Sequence, residues 1–135
     1  MALFEWSDQY SVNVKEMDLQ HLKLVQLINE LYRVLLSDNP DNILPPVMDE
    51  LVDYTAVHFS SEEELLLRYQ VPGFEAHRLS HLKFVEKVLA DQVKLHNGQL
   101  QLNTKIVKFL KDWLIEHIIG EDKKYGIYLN AHGVF

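Results

Sequence analysis

Residues 51–69 read LVDYTAVHFSSEEELLLRY. A stripe at helical spacing runs through Leu51 and Thr55, continues into His58 and Glu62, and returns to Leu65 and Tyr69. Two polar side chains therefore occupy positions that the pattern assigns to the buried face of a helix. His58 and Glu62 are four residues apart, about 40° around a helix and one turn along it, so both reach a common point. Glu63 and Glu64 fall about 140° and 240° from His58, so phase selects Glu62 from the run and assigns the other two to solvent as surface charge.

Three further stretches carry the same period. One runs from residue 15 or 18 to 36 with Met17, His21, Leu24, Ile28, Leu31 and Leu35 inward, stopped by Ser37-Asp38-Asn39-Pro40. The helix containing His58 begins between residues 44 and 47, where Pro45-Pro46 suits a first turn, and ends near Tyr69. After a turn at Gln70-Val71-Pro72-Gly73, a third helix runs from residue 74 to 95 with His77, His81, Phe84, Val88, Gln92 and Leu95 on one face. His96-Asn97-Gly98 ends it, with Asn97 or Gly98 in the left-handed conformation. The fourth starts at Asn103 or Thr104, reaches Ile119 or beyond, and aligns Ile106, Phe109, Leu110, Trp113 and His117. No strand alternation of useful length is present. The pattern predicts an all-α, up-down-up-down four-helix bundle formed as a single domain over residues 1–135. An irregular N-terminal arm with Phe4, Trp6, Tyr10, Val12 and Val14 is too apolar to stay solvated and should pack on the bundle.

Each of the four helices thus places imidazole on its inner face: His21, His58, the pair His77 and His81, and His117. Asp122 follows His117 by five, about 140° away in a regular helix, so it joins the group only if the helix widens or ends there; Gly120 permits either. Separate hydrogen-bond partners for every one of these groups would be hard to supply in a small core, where each unsatisfied polar group costs about 1–3 kcal/mol. A shared metal site satisfies them together. His96 and His132 fall off the pattern and should be exposed.

Composition narrows the chemistry. With seven His and no Cys, thiolate metal sites, iron–sulfur clusters and thiol nucleophiles are excluded, and a metal must be held by nitrogen and oxygen. The charge of −7, from 13 basic and 20 acidic residues, opposes binding to nucleic acid or to an anionic membrane. No apolar run suits a signal peptide or membrane insertion, so a soluble, cytoplasmic protein is expected, and nothing points away from a monomer.

Asp18-Leu19-Gln20-His21, then His58-Phe59-Ser60-Ser61-Glu62-Glu63, then His77 with His81, then His117 followed by Asp122, resembles the hemerythrins; the length resembles their single-domain bacterial members. The likeness spans about residues 6–122 and is specific because the residues recur in order at fixed local spacings. It implies two non-haem iron ions with an oxo or hydroxo bridge, one held by His77, His81 and His117, the other by His21 and His58, with Glu62 and Asp122 bridging them. On two octahedral irons those ligands leave a single position open, on the iron held by His21 and His58, where O2 would bind. Leu24, Phe59, Trp113, Leu114 and Ile118 match positions that line the O2 pocket in the family. The resemblance implies reversible O2 binding for transport, storage or delivery, with an oxygen-consuming enzyme as a possible recipient, and no catalytic residues. The competing function is a di-iron enzyme, a peroxidase or a nitric oxide or O2 reductase, using the same site. The chain contains no Glu-x-x-His pair, which argues against the ferritin-like di-iron class.

Overall fold

A computed structural model describes residues 3–38, 42–99 and 103–135. Four helices form the bundle: α1 (Lys15–Leu35), α2 (Leu44–Arg68), α3 (Phe74–His96) and α4 (Thr104–His117). Their side-chain pairings run in opposite senses. Gln20 meets Ser61 while Lys23 meets Glu50; His81 meets Glu63 while His96 meets Asp49; Ser80 meets Glu121 while His81 meets His117. Successive helices are therefore antiparallel. Beyond α4 the chain continues through a π-helical segment (Ile118–Asp122) into a short α5 (Lys123–Ala131).

The helix ends follow local chemistry. Pro45 and Pro46 occupy the first turn of α2, where a missing N–H is harmless. Asn103 caps α4 by accepting from the Ile106 N–H at 3.1 Å. At the end of α3 it is Gly98, at φ +70°, that turns left-handed, while Asn97 keeps φ −84°. The left-handed residue after α2 is Gln70, at φ +52°; Val71 then donates to Leu66 at 3.0 Å and buries its side chain. Asn39 and Pro40, expected to stop α1, lie outside the described residues.

The arm packs on the body as expected. A 3-10 turn (Asp8–Tyr10) precedes Ser11 and Val12, both of which donate to the Asp18 carboxylate, at 2.6 and 2.8 Å. Tyr10, Val12 and Val14 are buried, and the Asn29 side chain holds the backbone of Leu3 and Phe4. Val12 lies against Gly126 of α5, where a side chain would collide with its carbonyl oxygen.

The bundle interior has two unlike halves. Leu31, Met48, Leu51, Val88, Val107 and Leu110 fill one end with apolar side chains. At the other end, beneath the arm and α5, the buried residues are His21, His58, Glu62, His77, His81, His117 and Asp122. One expected inner residue is misplaced: Phe109 is 42% exposed, and α4 turns Val107, Leu110 and Leu114 inward instead. On α3 the fully buried polar residue is Asp91, paired with Lys87 at 3.1 Å, whereas Gln92 is only half-buried. Among the described residues no helix is long and apolar enough to cross a membrane.

Candidate metal centre

All seven polar residues selected from the stripes meet at one place. His58 and Glu62 are one turn apart on α2, His77 and His81 one turn apart on α3, and α1 and α4 present His21 and His117 from opposite sides. Asp122 reaches the group because the chain from Ile118 to Asp122 is π-helical. Hydrogen bonding from residue i to i+5 brings residues five apart into line, which supplies the widening that the spacing from His117 required.

Two sets of donor atoms result. Glu62, His77, His81 and His117 form one, and His21, His58, Glu62 and Asp122 the other; within each set the donor atoms lie within 4.8 Å of one another. Glu62 divides its oxygens between them. Its Oε1 contacts His77 Nε2 closely and lies 3.5 and 3.9 Å from the Nε2 atoms of His81 and His117, while Oε2 lies 3.1 Å from His58 and 3.7 Å from His21. Asp122 does the same from the other side: Oδ2 is 3.1 Å from His21 Nε2, and Oδ1 is 3.2 and 3.4 Å from those of His117 and His77.

These groups aim at shared points more than at each other. His21 Nε2, His58 Nε2, Glu62 Oε2 and both Asp122 oxygens are buried without a well-formed hydrogen bond. His81 and His117 bring their Nε2 atoms to 2.9 Å. Two nitrogens each about 2.1 Å from one ion, at right angles, would be about 3 Å apart. The donor set, imidazole with carboxylate and no sulfur, fits divalent first-row metals such as iron.

In the metal-free chain, protons tie the cluster together. Burial alone pushes the His21 imidazole down, but Asp122 and Glu62 more than reverse this and hold it up at about 9. His117 is likewise pushed down by burial, then raised to about 10 by Asp122, Glu121 and Glu62. At His58 burial prevails over Glu62 and the ring is easier to deprotonate than usual. Burial also pushes Glu62 up, but four histidines hold it well below the ordinary carboxylate range. Asp122 is raised by its own burial and by the charge of Glu62.

Behind the rings stand residues that the sequence did not single out. The Gln20 amide oxygen is 2.7 Å from His58 Nδ1, and the Glu63 carboxylate is 2.9 Å from His81 Nδ1. Glu121 lies 2.5 Å from His117 Nδ1, in an alignment short of a good hydrogen bond, so its charge carries the contact. Glu63 is thus not the free surface charge that its phase suggested; Glu64 is, paired only with exposed Arg68. The clue to Glu63 would have been α3, which stands on that side of α2. Glu121 had a simpler one, its i+4 spacing from His117. His96 and His132 are exposed, as expected.

An apolar shell encloses the cluster. Leu24, Phe59, Leu114 and Ile118 are buried, and half-buried Trp113 stacks on His117 with centroids 4.6 Å apart and on Phe84 at 3.9 Å. Phe59 stacks on His81 at 3.8 Å. On the arm side, His21, Glu62 and Asp122 border a cavity of about 10 Å³, closed by Val12, Val14, Tyr125 and Gly126. That is about the size of one water molecule. None of the five residues expected at an O2 pocket borders it.

Fold and site together define a four-helix bundle with a buried histidine–carboxylate cluster arranged as two overlapping cation sites. The family model of the hemerythrin HHE cation binding domain matches residues 12–127. The chain is 34% identical over 132 residues to the bacteriohemerythrin of Methylococcus capsulatus, covering 97% of this chain and 100% of the relative. It is 30% identical over 122 residues to a hemerythrin-like protein of Naegleria gruberi, covering 90% of each. A crystal structure of wild-type hemerythrin superposes with a TM-score of 0.89 at 32% identity, over 93% of this chain and 96% of that one. The chain belongs to the hemerythrin family.

Proposed function

We propose that the protein binds O2 reversibly at a non-haem di-iron centre, as a carrier, store or donor of oxygen. The observation that carries this reading is the division of both buried carboxylates: Glu62 and Asp122 each turn one oxygen toward His77 and His117 and the other toward His21. This is how two bridging carboxylates would sit between a pair of cations. In this reading His77, His81 and His117 hold one iron, His21 and His58 hold the other, and an oxo or hydroxo group completes the bridge. The open position falls on the side with two histidines.

When bound, the ferrous pair supplies the electrons with which O2 is held. The chain's own residues keep that exchange reversible. Leu24, Phe59, Leu114 and Ile118 keep water from the site, and Trp113 closes the gap beside His117 by stacking on it. The two carboxylates offset cation charge inside the low-dielectric interior, and the imidazoles present neutral nitrogen once the metal displaces their protons. Metal-free protein reconstituted anaerobically should take up two Fe2+ per chain. Exposure to O2 should give a stable visible spectrum that reverses under vacuum. Rapid oxidation with steady turnover of reductant would favour a peroxidase or reductase, and iron uptake well below two per chain would refute the reading.

A further inference from the structure

The two halves of the centre differ in what stands behind their histidines. Around the position formed by His77, His81 and His117, two carboxylates face the outer ring nitrogens, Glu63 at His81 and Glu121 at His117. Around the position formed by His21 and His58, the outer contact is the neutral amide of Gln20 on His58, and His21 Nδ1 is buried without a partner. Glu62 and Asp122 do not explain a difference, because each offers oxygen to both sides.

We propose that the His77–His81–His117 position, backed by Glu63 and Glu121, takes up its cation first and more tightly, so that the protein fills in order through a one-cation state. The proposal rests on the two-cation reading above. A carboxylate on Nδ1 fixes the tautomer that turns the Nε2 lone pair inward, makes the ring a stronger donor, and places a negative charge behind the ion. Gln20 can fix the tautomer of His58 but adds no charge. Glu63 and Glu121 are positioning residues: they act through His81 and His117 and reach the cation only through the rings. Both remain partly exposed, with side chains 25% and 40% accessible, so an isosteric amide is tolerated at either place.

The test titrates Co2+ anaerobically into metal-free protein with nitrogen-15-labelled histidine. Hyperfine-shifted ring N–H resonances count the imidazoles on each paramagnetic ion. The first equivalent should give three such resonances and the second should add two. In the Glu63→Gln/Glu121→Gln double variant, the first-step affinity should fall about 10- to 100-fold with the second step unchanged. Gln20→Glu should raise the second-step affinity and narrow the gap. Two resonances at the first equivalent, or five growing together from the start, would overturn the order. An unchanged first step in the double variant would overturn the role of the carboxylates, and the wild-type count stands even if that variant folds poorly. Saturation at fewer than two Co2+ per chain would instead remove the two-cation reading, and the order with it.

Discussion

Gly126→Ala tests how the arm is held over the site. A Cβ added there would lie 2.1 Å from the Val12 carbonyl oxygen and 3.2 Å from Val12 Cβ. Carbon and oxygen do not approach so closely, and the arm would have to retreat by more than about 1 Å. It is not free to do so. Val12 donates to Asp18 at 2.8 Å, and Asn13 and Asn130 exchange two hydrogen bonds of 3.0 Å between arm and α5. Two effects oppose each other: alanine favours a helix over glycine by about 1 kcal/mol, while forcing a methyl into a closed contact costs about 1–3 kcal/mol. If the arm lifts instead, Val12 and Val14 lose burial worth about 1.5–3 kcal/mol each, partly offset by the freedom the arm regains. The expected net loss is about 1–3 kcal/mol, or about 4–12 °C in Tm for a chain of this size. Thermal unfolding of the metal-free protein by circular dichroism reads it directly. Gly120→Ala is the control: nothing lies within 4 Å of its added Cβ, so its Tm should hold or rise. A Gly126→Ala protein melting at or above wild type would show that helix propensity alone governs this position, and the reasoning about the arm would fail.

Deleting Gly120 should convert the π segment to a regular helix and rotate all that follows by about 100°, carrying Asp122 out of the site. The variant should lose tight binding of the second cation, and retention of two cations at wild-type affinity would contradict the role given to the π segment. His77→Ala removes a ring whose Nε2 contacts both Glu62 and Asp122, and anaerobic iron loading should fall sharply, measured as iron per chain. The metal-free protein should lose stability as pH rises. The folded pKa values of His21 and His117 are held up at about 9 and about 10, above the ordinary value near 6.5, so their contribution is complete below about pH 6.5 and disappears as pH climbs through 9 and 10. Tm should therefore decline between pH 7 and 10 without metal; a flat profile would refute the assignment. Phe59→Ala empties a buried position stacked on His81, and should cost about 3–5 kcal/mol in urea unfolding while speeding oxidation of the loaded protein by admitting water.

Legibility in the sequence divided along a physical line. Period alone located the helices, because a helix must bury one stripe, and it located His58 with Glu62 and His77 with His81 because four residues make one turn. It also exposed the misfit of Asp122, whose spacing of five from His117 the π segment resolves. What period cannot supply is the neighbour across a gap. Glu63 points away from the axis of its own stripe, yet α3 stands there and turns its carboxylate into a partner of His81. Phe109 failed for a related reason. Its side chain lies on the edge of the α4 stripe, and burial of Val107 and Leu114 shows that the seam runs on the other edge. The Gln70 turn was hidden because only backbone context, the bond from Val71 to Leu66, makes a left-handed glutamine acceptable.

The division of the bundle interior bears on how site and fold depend on each other. A cluster of five imidazoles and two carboxylates contributes little apolar burial, and without a cation its buried polar atoms oppose folding. The opposite half has no such burden: Leu31, Met48 and Leu110 are fully buried among helices that do not need the metal to meet. That half can hold the four helices in register while the other end still carries protons where a metal would sit. The arm and α5 then matter more than their size suggests. They close the polar end with Val12, Val14 and Leu129, apolar groups that keep water from the carboxylates on a side where the four main helices leave them uncovered. Preorganised ligands lower the cost of assembling the site at the moment of binding, and a closed apolar cover preserves the electrostatic strength of what is assembled. Metal binding in this chain is thus expected to tighten a structure already formed, in contrast to small metal domains in which the cation creates the fold.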